Sequence, residues 1–286
     1  MFLNFETGVK ISSAGYFLPE QIISNTKLLE ESALPLTDEW IRKRIGVEKR
    51  HRVADDMVTS DLAILAAKQA FEKGNIDPAS IDLILLSTIS PDNPNPSTAC
   101  AVQAGLGLSE TLCPCFDINA ACSGFVYALE VGSRYILTGA KRVLVIASEI
   151  RSRFTNPKDP STYPIFGDGA AAVILEQGEK ASGFMGIQTL ADGRKYDSVL
   201  IPAGGSRKPA SLETVAAGEH FIKMNNGEKI FFEVVEGMTT HTKSFIEKCG
   251  VSINEIDFVI PHQANINILK EVNKRLELPD GKMLIN

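Results

Sequence analysis

The stretch Asp117-Ile-Asn-Ala-Ala-Cys-Ser-Gly-Phe-Val-Tyr-Ala-Leu129 decides how the chain is read. An apolar run from Cys113 to Ile118 leads into it and predicts a buried strand. A cluster of small residues follows, and then an apolar segment without Pro runs to Ala140 and predicts a helix. Cys122 therefore falls where a strand turns into a helix. A helix N-terminus leaves backbone N–H groups unpaired and carries partial positive charge. A thiol placed there is expected to ionise more readily, and the thiolate is the nucleophile. The plain alternative is a small apolar residue packed beside Ala120, Ala121 and Gly124, since cysteines are often buried without chemical purpose.

Outward from this turn the chain alternates strands and helices. Val9 to Phe17 predicts a first strand, ended by Pro19. Thr37 or Asp38 caps a short helix, followed by a basic segment to Arg52. Ser60 is expected to cap a helix through Glu72, with Leu62, Leu65, Ala66 and Ala70 on one face. Ile81 to Thr88 is apolar on both faces, as in a parallel sheet covered by helices. Ser97 caps a helix through Leu106. Arg142 to Ala147 and Gly167 to Leu175 predict two further strands.

The order β-α-β-α-β-α-β-β then begins again: a strand at Phe184–Leu190, a helix from Lys229 to Cys249, a strand at Ile256–Ile260, a helix from Ile266 to Leu276 and a strand start at Met283–Ile285. The letters repeat too. Asn75-Ile-Asp-Pro-Ala-Ser-Ile-Asp-Leu-Ile-Leu85 aligns without a gap on Gly250-Val-Ser-Ile-Asn-Glu-Ile-Asp-Phe-Val-Ile260. The expected fold is α/β, with two duplicated βαβαβαββ halves at 1–175 and 176–286. By analogy the second half lacks its last helix and last two strands, so either the halves differ or the chain is truncated.

His262 follows the strand at Ile256–Ile260, at a position equivalent to Ser87 in the repeat. Ligands gather at the carboxyl ends of strands in open parallel sheets. His262 is therefore expected on the same edge as Cys122. A cysteine and a histidine, both at strand-to-helix turns, point to nucleophilic catalysis. His51, His220 and His241 sit in polar or helical surroundings and are expected to be solvated.

Composition narrows the class. At 286 residues, 44% hydrophobic and 22% charged, the chain predicts a substantial core. Its net charge of −6 argues against a general nucleic-acid surface. No apolar run reaches membrane-spanning length, and MFLNFETGVK has no leader pattern. Five cysteines at irregular spacing predict buried, free thiols in a reducing cytosol.

Four motifs carry a resemblance: Trp40-Ile-x-x-Arg44-x-Gly46, Asp117 to Phe125, Phe166-Gly-Asp-Gly-Ala170 and Pro261-His-Gln-Ala-Asn265. Through them the chain resembles the thiolase-fold condensing enzymes, most closely the β-ketoacyl-(acyl carrier protein) synthase III family. The resemblance implies an αβαβα layered fold, a homodimer and a cytoplasmic enzyme without a resident cofactor or metal. Cys122 would take an acyl group from a coenzyme A thioester. His262 would assist decarboxylation of malonyl-acyl carrier protein by hydrogen-bonding the thioester oxygen, and the resulting carbanion would give a 3-ketoacyl product. Trp40 would stack on adenine with Arg153 on its other side, Arg44 would contact phosphates, and Asn265 would complete the coenzyme A contacts. Without the family, Trp40 reads as a packed amphipathic side chain, and Arg44 and Arg153 as solvated charges.

The chain departs from the family pattern in four places. The family's Asn in a Gly-Asn-Thr motif is absent, and so is its Gly-rich oxyanion-hole loop. Asn267 stands where an Arg usually docks the carrier, and Phe232 stands for a Lys; Lys270, Lys274 or Arg275 would substitute. Asn95 replaces a Phe at the acyl-pocket loop. If 286 residues is the true length, poor activity or completion by another chain is expected; a longer reading frame restores ordinary activity. Two other readings stand: a sibling acyltransferase of secondary metabolism, and a truncated, non-catalytic partner subunit.

Overall fold

The computed structural model describes residues 2–4, 8–179 and 182–286. Part of the N-terminal stretch read above for a leader, residues 1 and 5–7, lies outside them. The chain forms two compact units that do not follow a single cut near Leu175. Residues 23–50 and 152–166 belong with the second unit, and 176–190 with the first.

The first unit is built on a five-stranded mixed sheet. Its order is Gly8–Phe17, Asp168–Gly178, Arg142–Ile150, Leu83–Ser87, Cys115–Ile118. Leu83–Ser87 runs parallel to both its neighbours, while Asp168–Gly178 is antiparallel to both of its own. All five residues of Leu83–Ser87 are buried, as expected for a strand with helices on both faces. Alternate residues divide between two cores. Ile84, Leu86, Leu144, Ile146 and Ile174 pack with Leu62, Ala66 and Ala70 of the helix Thr59–Gly74. Leu83, Leu85, Val143, Val145 and Leu175 pack with Ala128 and Ile136 of the helix Gly124–Leu137.

Several local expectations are corrected. Ser60 does not cap its helix: it lies inside the first turn, its N–H bonded to Asp92 Oδ1 at 3.0 Å. Asp61 instead accepts the N–H of Val58 at 2.9 Å. Leu65 stays 39% exposed, because Leu62, Ala66 and Ala70 already fill the buried stripe. The strand expected at Phe184–Leu190 shortens to Gly186–Gln188, paired antiparallel with Phe2–Asn4.

In the second unit the helices Gly227–Lys248 and Ile266–Leu276 bury Val235, Ile268, Leu269, Val272 and Leu276 together. The repeat seen in the letters is also present in the backbone. A left-handed residue ends each preceding helix, Asn75 in one copy and Gly250 in the other. A 3-10 turn follows at Pro78–Ser80 and again at Ile253–Glu255, at aligned positions. The copies then diverge. Leu83–Ser87 becomes a central strand, but the strand expected at Ile256–Ile260 does not form. Only a parallel bridge joins Val259 to Met283, and the strand start expected at Met283–Ile285 is that bridge alone. Phe258 and Ile260 are 63% and 77% exposed. A lone bridge cannot cover both faces of an apolar segment, whereas the first copy is covered by two parallel neighbours and helices on both sides. No helix among the described residues is long and apolar enough to cross a membrane.

Candidate active site

Cys122 sits at the end of the edge strand Cys115–Ile118, which pairs with Leu83–Ser87 in register Ser87↔Ile118. The expected helix does not start at the cysteine itself. A 3-10 turn, Ala121–Ser123, comes first, and the helix Gly124–Leu137 stops short of Ala140. Ala121 has φ +48°, a left-handed conformation costing a non-Gly residue ~1 kcal/mol or more. Gly124 is required by close approach: a Cβ there would collide with Ser87 Oγ and lie 3.3 Å from Ser87 Cβ. The helix thus rests directly on the tip of the central strand, and that contact places the cysteine.

Asp117 supports the same turn, and the sequence reading assigned it no role. Its Oδ2 accepts the N–H of Thr98 at 2.7 Å and its Oδ1 the N–H of Ala99 at 2.8 Å. Ser97, the expected cap of that helix, makes no capping bond; its Oγ accepts the N–H of Asp117 at 3.4 Å. A carboxylate at a helix start satisfies orphan donors and meets the positive end of the dipole. Replacing Asp117 by Ala strands both N–H groups. Chemical denaturation is expected to show a loss of ~2–4 kcal/mol. Asp117→Asn keeps one carbonyl acceptor and should lose about half as much. Equal losses in the two variants would mean that the double cap is not the source.

The thiol is open to solvent but hemmed in by protein. Burial pushes Cys122 above the ordinary thiol range; its backbone hydrogen bond and the Arg151 cation pull the other way, and Glu149 adds to the rise. The readily ionised thiol expected from the helix start is therefore corrected, because desolvation outweighs the backbone hydrogen bond and the Arg151 cation. Glu149, half-buried, and Arg151, buried, two charges at the end of the Arg142–Ile150 strand, escaped the sequence reading. Their only signal was charge following an apolar strand. Glu149 Oε1 accepts the N–H of Ile89 at 2.8 Å, and its Oε2 accepts the hydroxyl of Ser90 at 2.6 Å. Burial pushes the Glu149 carboxyl up and the Arg151 guanidinium down.

The remaining site residues lie in the second unit. Trp40 and Arg44 belong to the helix Asp38–Arg44, capped by Thr37 Oγ1 on the N–H of Trp40 at 3.1 Å. Trp40 is 41% exposed for so large an apolar ring, and Arg44 and Arg153 are exposed too. His262 follows the Val259 bridge. Gln263 anchors its loop, donating to the carbonyls of Pro261 and Leu284 at 3.0 Å each. The His262 ring is open to solvent on one side, but desolvation by the protein around it pulls the imidazole below its ordinary value and favours the neutral ring. Asn265 is the N-cap of Ile266–Leu276, its Oδ1 accepting the N–H of Asn267 at 2.8 Å.

Asn267 turns inward. Its Nδ2 donates to the carbonyl of Arg44 at 2.9 Å, and the N–H of Ile266 donates to the carbonyl of Ile45 at 2.8 Å. Gly46, at φ +99°, leaves room for Ile266, whose Cβ lies 2.7 Å from where a Gly46 Cβ would stand. The Trp40 helix and the helix after His262 are thereby joined within one unit. The other histidines are not all solvated as expected. His51 Nδ1 lies 2.5 Å from the carbonyl of Pro19 and the His220 ring packs against Phe221 at a tilt of 43°, while only His241 of the three is exposed.

Residues 116–193 match the family model of 3-oxoacyl-[acyl-carrier-protein (ACP)] synthase III, and residues 246–286 match that of its C-terminal part. The chain is 42% identical over 278 residues to the β-ketoacyl-[acyl-carrier-protein] synthase III of Caldanaerobacter subterraneus subsp. tengcongensis, covering 96% of this chain and 82% of that one. The chain belongs to the β-ketoacyl-[acyl-carrier-protein] synthase III family. The Clostridioides difficile member is 40% identical over 281 residues, covering 98% of this chain and 84% of its own. Among solved structures, 3-oxoacyl-(acyl carrier protein) synthase III of Pseudomonas aeruginosa PAO1 superposes with a TM-score of 0.85 at 31% identity, covering 98% of this chain and 83% of that one. Membership in the synthase III family makes the chain an acyltransferase of the condensing type, with the α/β thiolase-like fold. The Cys122 turn falls inside the first matched region and the His262 loop inside the second.

Proposed function

We propose that the chain condenses an acyl-CoA with malonyl-acyl carrier protein, through an acyl thioester on Cys122, to start fatty acid synthesis. The observation that carries this reading is Cys122 itself: a solvent-reachable thiol on a strained turn, held by Gly124 against the central strand. Nucleophilic catalysis divides the condensation into acyl transfer and carbon–carbon bond formation. His262, kept neutral by partial desolvation, donates a hydrogen bond to the thioester oxygen as the malonyl unit loses carbon dioxide. Coenzyme A arrives as substrate and needs no resident cofactor. Trp40 stacks on its adenine with Arg153, Arg44 meets its phosphates, and Asn265 orders the helix start beside them. Lys270 and Lys274, exposed on the face that continues from Asn267, offer the cations for an acidic carrier. The active form is a cytoplasmic homodimer of duplicated halves in an αβαβα arrangement. The exposed Phe258 and Ile260 fit a second sheet that further strands would complete.

Mass spectrometry after mixing with short acyl-CoAs tests the reading: one acyl adduct on Cys122 is expected. Folded protein that takes no adduct from any acyl-CoA supports the non-catalytic partner subunit instead. A polyketide role has its own support in the 26% identity and TM-score of 0.83 to the priming β-ketosynthase of the R1128 polyketide pathway. Replacing Trp40 by Ala should raise KM for acyl-CoA about tenfold and leave kcat unchanged, the loss of one stacked base. A fall in kcat with KM constant would remove Trp40 from coenzyme A binding.

A further inference from the structure

A pair of sulfurs lies in the first unit, apart from the nucleophile. Cys100, on the helix Thr98–Gly105, is exposed rather than buried as expected; Cys115, opening the strand Cys115–Ile118, is half-buried. Both are free thiols, and the Cys115 S–H donates to Cys100 Sγ at 3.7 Å. The two elements that carry them are fastened together beside the sulfurs. Asp117, two residues beyond Cys115, grips the N–H groups of Thr98 and Ala99, immediately before Cys100. A disulfide requires sulfurs about 2.0 Å apart. Closing the remaining gap takes less than about 2 Å, within the range of side-chain rotation about Cα–Cβ.

We propose that Cys100 and Cys115 form a peroxide-responsive dithiol, a reversible oxidation site separate from Cys122. The Cys100 thiolate attacks hydrogen peroxide; the O–O bond breaks, hydroxide leaves and takes up a proton, and Cys100 becomes a sulfenic acid. The Cys115 sulfur then attacks the Cys100 sulfur. The S–O bond breaks, water leaves carrying the Cys115 proton, and an S–S bond forms. In all, two thiols lose two electrons and two protons, and one peroxide becomes two waters. Exposure makes Cys100 the sulfur that meets the oxidant. Burial first, then its bond to Cys100, push the Cys115 thiol up to about 12, which disfavours it as the first sulfur to meet the oxidant. Cys113 is buried, with the Gln103 amide 3.7 Å from its sulfur, and stands outside the exchange. In a reducing compartment such a pair rests as thiols and links only under oxidant.

Peptide mapping of the full chain tests this. The protein is treated with hydrogen peroxide, alkylated, and cut with a protease specific for glutamate. Glu110 separates the two cysteines, giving peptides 73–110 and 111–130. Fragment ions then distinguish Cys115 from Cys113 and Cys122. The expected product is a Cys100–Cys115 linked pair, lighter by two hydrogens and released by a thiol reductant. Cys100→Ser should abolish the link. Cys115→Ser should leave Cys100 as a sulfenic acid that dimedone traps. The proposal is overturned if Cys100 and Cys115 stay fully alkylatable while Cys122 oxidises. It is equally overturned if Cys100 links to Cys113, to Cys122 or to a second copy of the chain.

Discussion

A Cys122→Ala protein is expected to take no acyl adduct from any acyl-CoA and to lose condensation by ~10³-fold or more. The substitution removes one sulfur atom and little packing, so the unfolding free energy should change by less than about 1 kcal/mol. That separation matters, because the bland reading of Cys122 predicts the reverse: intact chemistry and a packing cost. Cys122→Ser refines the test. An oxygen nucleophile in the same place should acylate far more slowly than the thiolate. The wild-type pH profile follows from the environment. Desolvation holds Cys122 above the ordinary thiol value of 9.0, so the thiolate fraction is small at neutrality and grows with pH. The acylation rate, read by adduct mass against time, should climb tenfold per pH unit through neutrality and still be rising at pH 9. A plateau below pH 8 would show that the helix start and Arg151 overcome burial after all. The ordinary family reaction then draws on a small ionised population, made reactive by the placement that Gly124 and Asp117 enforce.

How much of this was legible in the letters differs between the two units. The sheet of the first unit was readable because its strands are apolar on both faces and its helices carry a clear stripe, as at Leu62, Ala66 and Ala70. The position of Cys122 at a strand-to-helix turn was readable for the same reason. The 3-10 turn and the left-handed Ala121 were not, since nothing local asks a non-Gly residue to adopt φ +48°; the contact of Gly124 with Ser87 does. Helix caps misled at Ser60 and Ser97. Single-residue rules favour a hydroxyl there, but carboxylates distant in sequence, Asp92 and Asp117, supplied better acceptors. In the second unit, Ile256–Ile260 has the letters of a strand and no sheet to join. Strand formation depends on partners, so a local match to Ile81–Leu85 forecasts the turn but not the ladder. The sign of the Cys122 shift was misread for a related reason: the dipole is visible in the local sequence, and burial is not.

His262→Ala should separate the two half-reactions. Acylation of Cys122 uses the thiol and the coenzyme A contacts, so it is expected to stay within about threefold of wild type. Decarboxylation of malonyl-acyl carrier protein, followed as carbon dioxide release, should fall by ~10²–10⁴-fold, the usual worth of one positioned donor at a developing enolate oxygen. The pH dependence carries an independent sign. Burial lowers the imidazole pKa below 6.5, so the ring is neutral at pH 7 and gains a proton only in more acidic solution. Decarboxylation in the wild type should therefore hold steady down to about pH 6.5 and fall below it, and the acidic limb should vanish in His262→Ala. The same shift affects stability. A histidine whose folded pKa is depressed contributes stability above its unfolded value and loses it as pH drops through the folded one, so unfolding should ease on that limb in wild type but not in the variant. Gln263→Ala offers the control for position. It leaves the imidazole in place but removes two hydrogen bonds that anchor its loop. Decarboxylation should drop by an intermediate factor, about tenfold, with the acidic limb retained. If His262→Ala instead slows acylation as much as decarboxylation, the histidine serves the thiol, and its assignment to the thioester oxygen is wrong.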